Sequence, residues 1–161
     1  MKPSILVMGG DEDFRERLAE ILKKRGYQVL TAATPDDPCI HNLADIDIVI
    51  VSQHILTSRE RDIFSVFSYL KPSPEIILML TSGSIQSAIE GMKKGVFDDI
   101  YVPFEISELE EKIFKAFRAR QKKARKMKRC SLKQKIEDVF VSSTFAEANV
   151  ELSNHKRKKT H

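Results

Sequence analysis

Four groups of residues in this chain have types and spacings suited to chemistry. Ser52 and His54 offer a hydroxyl and an imidazole, the raw material of a nucleophile and its base. Gly9-Gly10 offers a backbone cradle for a phosphate. Asp98-Asp99 offers paired carboxylates for a cation, and Arg118–Arg129 holds eight basic residues suited to phosphates or an acidic surface. Each reading meets an objection. Val51-Ser52-Gln53 lacks the glycines of a nucleophile elbow, so a structural hydroxyl beside a loop histidine is the safer expectation. Asp11, Glu12 and Asp13 would repel an anion at Gly9-Gly10, and no phosphate-loop lysine follows. Asp98 and Asp99 read as two exposed loop acids without further ligands. The basic run lacks interleaved aromatics and has no helix-turn-helix after it, so a solvated helix or one docking an acidic protein is as good an account as nucleic acid.

The elements that must position these residues are short and regular. Apolar, β-branched runs occur at Ile5–Met8, Val29–Ala32, Ile46–Val51, Ile76–Leu80 and Ile100–Val102, as expected of strands buried on both faces of a parallel sheet. Between them lie helical periodicities: Phe14, Leu18, Ile21 and Leu22, stopped at Gly26; Ile63, Phe64, Phe67 and Leu70; and Ile85, Ala88, Ile89 and Met92, stopped at Gly95. A helix is also expected over Pro35–Leu43, against the interruption of Pro38. Ser107 with Glu110 predicts a capping box opening a last helix through Leu109, Ile113, Ala116 and Phe117. Such alternation predicts a doubly wound α/β sheet, whose working groups sit at the carboxyl ends of its strands. That rule selects Gly9, Gly10, Ser52, Thr81 and Val102.

Charge marks a boundary near Phe117. Residues 1–117 carry 13 Lys/Arg and 19 Asp/Glu, whereas 118–161 carry 14 and 4. This predicts an acidic domain over 1–117 and a basic helical extension over 118–161. Within the extension, Ser131 with Gln134 suggests a second capping box, opening an amphipathic helix with Leu132, Ile136, Val139 and Phe140 that runs to about Asn149. The end, His155–His161, is expected to be disordered. Cys39 and Cys130 fit no metal or disulfide spacing and read as reduced thiols. No apolar run is long enough to cross a bilayer and Met1–Ser4 leads into no signal-peptide core, so a cytoplasmic protein is expected.

Over residues 4–117 the chain resembles the receiver domain of bacterial response regulators. The resemblance is carried by Ile5–Met8 with Phe14-Arg15 and Leu18, by Gly26-Tyr27 with Val29 and Ala32, and by Asp47–Val51. Leu80-Thr81, the run Ala88-Ile89 through Gly91-Met92, Gly95 and Phe97-Asp98, and Pro103-Phe104 complete it. It implies a flavodoxin-like, five-stranded parallel sheet of order 2-1-3-4-5 with a C-terminal helical tail. It also implies where a receiver's chemistry would lie. The acidic pair that holds a metal falls on Gly9 and Gly10, the phosphoacceptor aspartate on Ser52, and the lysine on Val102. Thr81 keeps the switch hydroxyl and Pro103 the structural cis-proline, while the switch aromatic position falls on Asp99, with Tyr101 nearby.

Aspartyl phosphorylation needs a carboxylate nucleophile, a metal on the phosphoryl oxygens and a cation against the developing charge. Gly9, Gly10, Ser52 and Val102 supply none of these, so neither catalysis nor magnesium binding is expected. The expectation is a stand-alone degenerate receiver (a pseudo-receiver) in two-component, phosphorelay-type signalling, working by phosphorylation-independent protein–protein interaction. The resemblance implies a partner or a homodimer contact on the face of the fourth helix, fifth strand and fifth helix, around Ser84–Lys94 and Ile100–Phe117. Two other readings stay open: a nucleic-acid-binding module using Arg118–Arg129 and Lys156–Lys159, and a conventional phospho-accepting regulator whose site includes Asp11.

Overall fold

The computed structural model describes residues 1–37, 40, 45–57, 62–83 and 85–157, with side chains to 147. The elements run β1 (Ser4–Met8), α1 (Glu12–Lys24), β2 (Gln28–Ala32), β3 (Ile48–Ser52), α2 (Gln53–Thr57), α3 (Ile63–Phe67), β4 (Glu75–Thr81), α4 (Ile85–Lys94), β5 (Asp98–Val102) and α5 (Ile106–Arg157). The strands form one parallel sheet in the order β2-β1-β3-β4-β5. The expected helix over Pro35–Leu43 falls mostly on residues outside those described, as do Cys39, Ser84 and residues 158–161.

The continuous apolar runs are explained by burial on both sides. Leu6, Met8, Val49, Val51, Leu78 and Leu80 face one core, with Ile63, Phe67 and Ala88. Their neighbours Ile5, Val7, Ile48, Ile50, Ile77 and Met79 face the other, with Leu18 and Leu22 of α1 and Leu109 and Ile113 of α5. Side chains alternate across a strand, so each run must be apolar at every position to serve both layers. Each fully buried Leu or Ile contributes about 1.5–3 kcal/mol to this arrangement.

Helix faces depart from the periodicity in two places. In α1 the buried set is Arg15, Leu18, Ala19 and Leu22, while Ile21 is 38% exposed. In α4 only Ala88 and Gly91 are buried, leaving Ile85, Ile89 and Met92 facing outward. Gly91 sits so close to the sheet that a methyl group there would stand 2.8 Å from Leu78 Cδ2. Small residues seat this helix, and the large ones it carries are left outside.

Two expectations at α5 are corrected. The helix opens at Ile106, with Glu105 O accepting from Glu108 N at 3.0 Å and Leu109 N at 3.3 Å. Glu110 pairs with Arg25 at 2.5 Å, so Ser107 and Glu110 do not form the opening cap. Nor does a new helix begin at Ser131. No Gly or Pro occurs from Ile106 to Arg157, and nothing interrupts the backbone ladder over that span.

The chain divides into two compact units, Met1–Lys123 and Ala124–His161. The first extends past the charge boundary at Phe117 because α5 is tied to the amino ends of the strands. Arg120 forms an ion pair with Asp47, and its Nη2 donates to Pro72 O at 3.4 Å. Asp47 Oδ2 also accepts from Ser4 N at 2.9 Å. Lys123 Nζ lies 2.6 Å from the buried carboxylate of Glu75. At the same end of the sheet, Tyr27 has its phenol pKa raised, first by burial and then by Glu110. In the second unit, every residue from Arg125 to Glu147 is exposed.

Candidate functional site

The carboxyl edge of the sheet gathers the residues singled out above. After β1, Gly9 and Gly10 both take φ of +75°, a conformation that strains any residue with a Cβ. Gly9 N donates to Ala32 O at 3.0 Å, which carries the β1–β2 pairing one step further. The chain then enters α1, where Asp11 Oδ2 caps the helix by accepting from Phe14 N at 3.1 Å. Arg15 Nη1 reaches back to Gly10 O at 3.3 Å and holds the turn from below.

Register sets the remaining positions. Ser52 ends β3 opposite Met79, and Thr81 ends β4 opposite Val102. A cavity of about 290 Å³ opens here, walled by Gly10, Asp11, Phe14, Ser52, Thr81 and Val102, with Gln53, His54, Met79 and Leu80. Four of the five strand-end positions thus border one space. The fifth, Gly9, is buried against its neighbours: a methyl group on it would stand 2.5 Å from Ile55 Cγ1 and 2.6 Å from Ser52 Oγ. Gly10 differs, since a Cβ there would meet only Ser52 Cβ at 3.7 Å.

The polar groups of this edge are mostly engaged with each other. Gln53 Nε2 donates to Thr81 Oγ1 at 2.9 Å, and Thr81 N donates to Gln53 Oε1 at 3.3 Å. One amide side chain therefore spans the ends of β3 and β4 and occupies the Thr81 hydroxyl. Ser52 Oγ is buried and hydrogen-bonds to no described group. Among the described residues Asp11 is the one acid in the cavity wall, and its capping bond uses one carboxylate oxygen. The Val102–Pro103 peptide is cis, as is Lys71–Pro72.

Other candidates fall elsewhere. His54 lies in α2 rather than in a loop. Asp98 is held by Lys112 at 3.0 Å and accepts from Asp99 N, and among the described residues no group of three metal-ligating side chains occurs. Of the basic run, Arg120 and Lys123 are committed to Asp47 and Glu75. The site residues missed in the sequence are Gln53, Ile55 and Arg15. Gln53 was adjacent to a chosen strand end, whereas Ile55 is visible only once α2 folds back over Gly9.

No family model matches the chain. The photosynthetic apparatus regulatory protein RegA of Rhodovulum sulfidophilum is 25% identical over 108 residues, covering 66% of this chain and 59% of RegA. The C4-dicarboxylate transport transcriptional regulatory protein DctD of Rhizobium meliloti is 25% identical over 84% of this chain and 29% of its own length. The chain thus spans less than two thirds of these curated relatives. A response regulator receiver domain protein from Clostridium thermocellum superposes with a TM-score of 0.61 at 22% identity, over 74% of this chain and 97% of that one. The fold is that of a response-regulator receiver domain. Receiver order and parallel pairing account for the whole sheet. Among the described residues, no helix is long and apolar enough to cross a membrane.

Proposed function

We propose that the receiver body is a phosphorylation-independent signalling domain that works by protein contact and performs no catalysis. The observation that supports this most is the packing at Gly9. The space a side chain would need there is taken by Ile55 and Ser52, so an acid at this position would have to displace them. Gly10, Ser52 and Val102 add neither carboxylate nor cation to the cavity, and Asp11 serves as a helix cap. These residues do not fit the divalent cation that receiver phosphorylation requires, since a hard cation needs several oxygen ligands. The Gln53–Thr81 bridge further supports a body held in one conformation, because the switch hydroxyl is already occupied.

The contact surface in this reading is α4, β5 and the start of α5. β5 is an edge strand, and Ile85, Ile89, Met92, Tyr101 and Phe114 are each more than 40% exposed. Exposed apolar groups of this number on one side suit a protein partner or a second copy. In keeping with two-component signalling, the proposed location is the cytoplasm.

Incubating the full chain with magnesium and a small-molecule phosphodonor tests the reading by intact mass. We expect no phosphoryl increment and no magnesium-dependent shift in the amide spectrum of the cavity residues. A phosphoryl increment lost in Asp11→Asn would instead establish a conventional regulator.

A further inference from the structure

The second unit carries a surface that the receiver reading does not use. Leu132, Ile136, Val139 and Phe140 follow the i, i+4, i+7, i+8 spacing, and each is at least 60% exposed. They form one continuous stripe on a helix whose residues from Arg125 to Glu147 are all exposed. Helices in proteins draw most of their stability from packing an apolar face, so a stripe this regular calls for a covering partner.

Charge selects that partner. Residues 124–135 hold six basic side chains and no acidic one, while residues 136–151 hold four acidic side chains and no basic one. The stripe straddles the point where the sign changes. Two copies laid parallel would set six cations beside six cations along the seam. Laid antiparallel, the basic half of each meets the acidic half of the other, with the apolar stripes in register at the centre. Flanking charges of this kind decide orientation in paired helices. A purely acidic partner would match the basic half but face repulsion from Glu137, Asp138 and Glu147, and so would a nucleic acid. Over residues 124–151 the helix is complementary to itself in reverse.

We propose that residues 124–151 form a self-association element that pairs with a second copy of this chain as an antiparallel two-helix coil centred near Ile136–Phe140. It is independent of the α4–β5–α5 contact.

Sedimentation of the full chain tests it, together with a distance measurement at Cys130, an exposed free thiol. The chain is expected to dimerise, and more weakly as salt is raised. The triple variant Glu137→Lys, Asp138→Lys, Glu147→Lys should associate at least about tenfold more weakly, because it sets like charges together. Ile136→Lys, which leaves the charge segregation intact, should do the same by interrupting the stripe, and circular dichroism verifies that both variants stay helical. With Cys39→Ser and a spin label on Cys130, antiparallel pairing places the two labels roughly 20–30 Å apart along the axis. Parallel pairing would bring them to about 10–15 Å. A monomer at high micromolar concentration, a dimer indifferent to both variants, or the short label distance would each overturn the proposal. So would a chain that stays monomeric while its tail binds duplex DNA or an acidic peptide.

Discussion

At the amino ends of β3 and β4 two carboxylates are taken out of water and answered. Asp47 meets Arg120 and the Ser4 amide, and Glu75 meets Lys123. At the carboxyl ends of the same two strands, Ser52 is buried with no described partner and Thr81 is bridged by a neutral amide. The strands between them are apolar throughout, so the difference lies only in what terminates them. Charge at the amino end ties α5 to the body and is structural. Neutrality at the carboxyl end leaves a cavity of about 290 Å³ lined largely by Phe14, Met79, Leu80 and Val102, where a receiver's chemistry would sit. A charged group in a protein is thus no guide to function by itself: here the buried ions tie α5 to the body, while the edge that gathers the candidate site residues is lined mostly by uncharged groups.

That contrast breaks most readily at the amino end. Arg120→Ala leaves the carboxylate of Asp47, only 13% exposed, without its cation. The expected loss is about 3–5 kcal/mol by urea denaturation, since an uncompensated buried charge costs more than the pair was worth. A loss below about 1 kcal/mol would mean that Asp47 is adequately served by Ser4 and water, and the two ends would no longer differ in kind.

At the carboxyl end the expected effects are smaller and differ in sign. Gly9→Asp combines a strained φ with a collision against Ile55, for an expected loss of about 2–4 kcal/mol. Adding Ile55→Ala to that chain should recover part of the loss, and no recovery would show that backbone strain alone sets the cost. Ser52→Ala should change stability by less than about 1 kcal/mol, or raise it slightly, because the hydroxyl removed has no described partner. A loss above about 2 kcal/mol in thermal or urea melts would reveal a hydrogen bond to an ordered water, and the edge would be less neutral than drawn.

Most of the fold was legible because it rests on short apolar runs whose meaning is unambiguous when both faces are buried. The strand ends were legible for the same reason, and Gly10, Ser52, Thr81 and Val102 do border one cavity. What escaped depended on distance rather than order. Ile55 looked like a residue after a strand, yet it stands where a side chain on Gly9 would have to go. The α4 stripe of Ile85, Ile89 and Met92 looked like core, but Ala88 and Gly91 let the opposite side approach the sheet. Ser131 with Gln134 looked like a helix start, because a capping pattern cannot say whether the preceding residues are already helical.

Gly9 and Ile55 also bear on how this chain could change by single steps. A glycine with open space around it accepts a side chain at the cost of backbone strain alone. Here the side chain of Ile55 stands where a Gly9 substituent would have to go, so an acid at that position is penalised until Ile55 has also changed. Two positions are thereby tied together: what can stand just after β1 is decided by the side chain of Ile55 as much as by the glycine itself, and the two change as a pair.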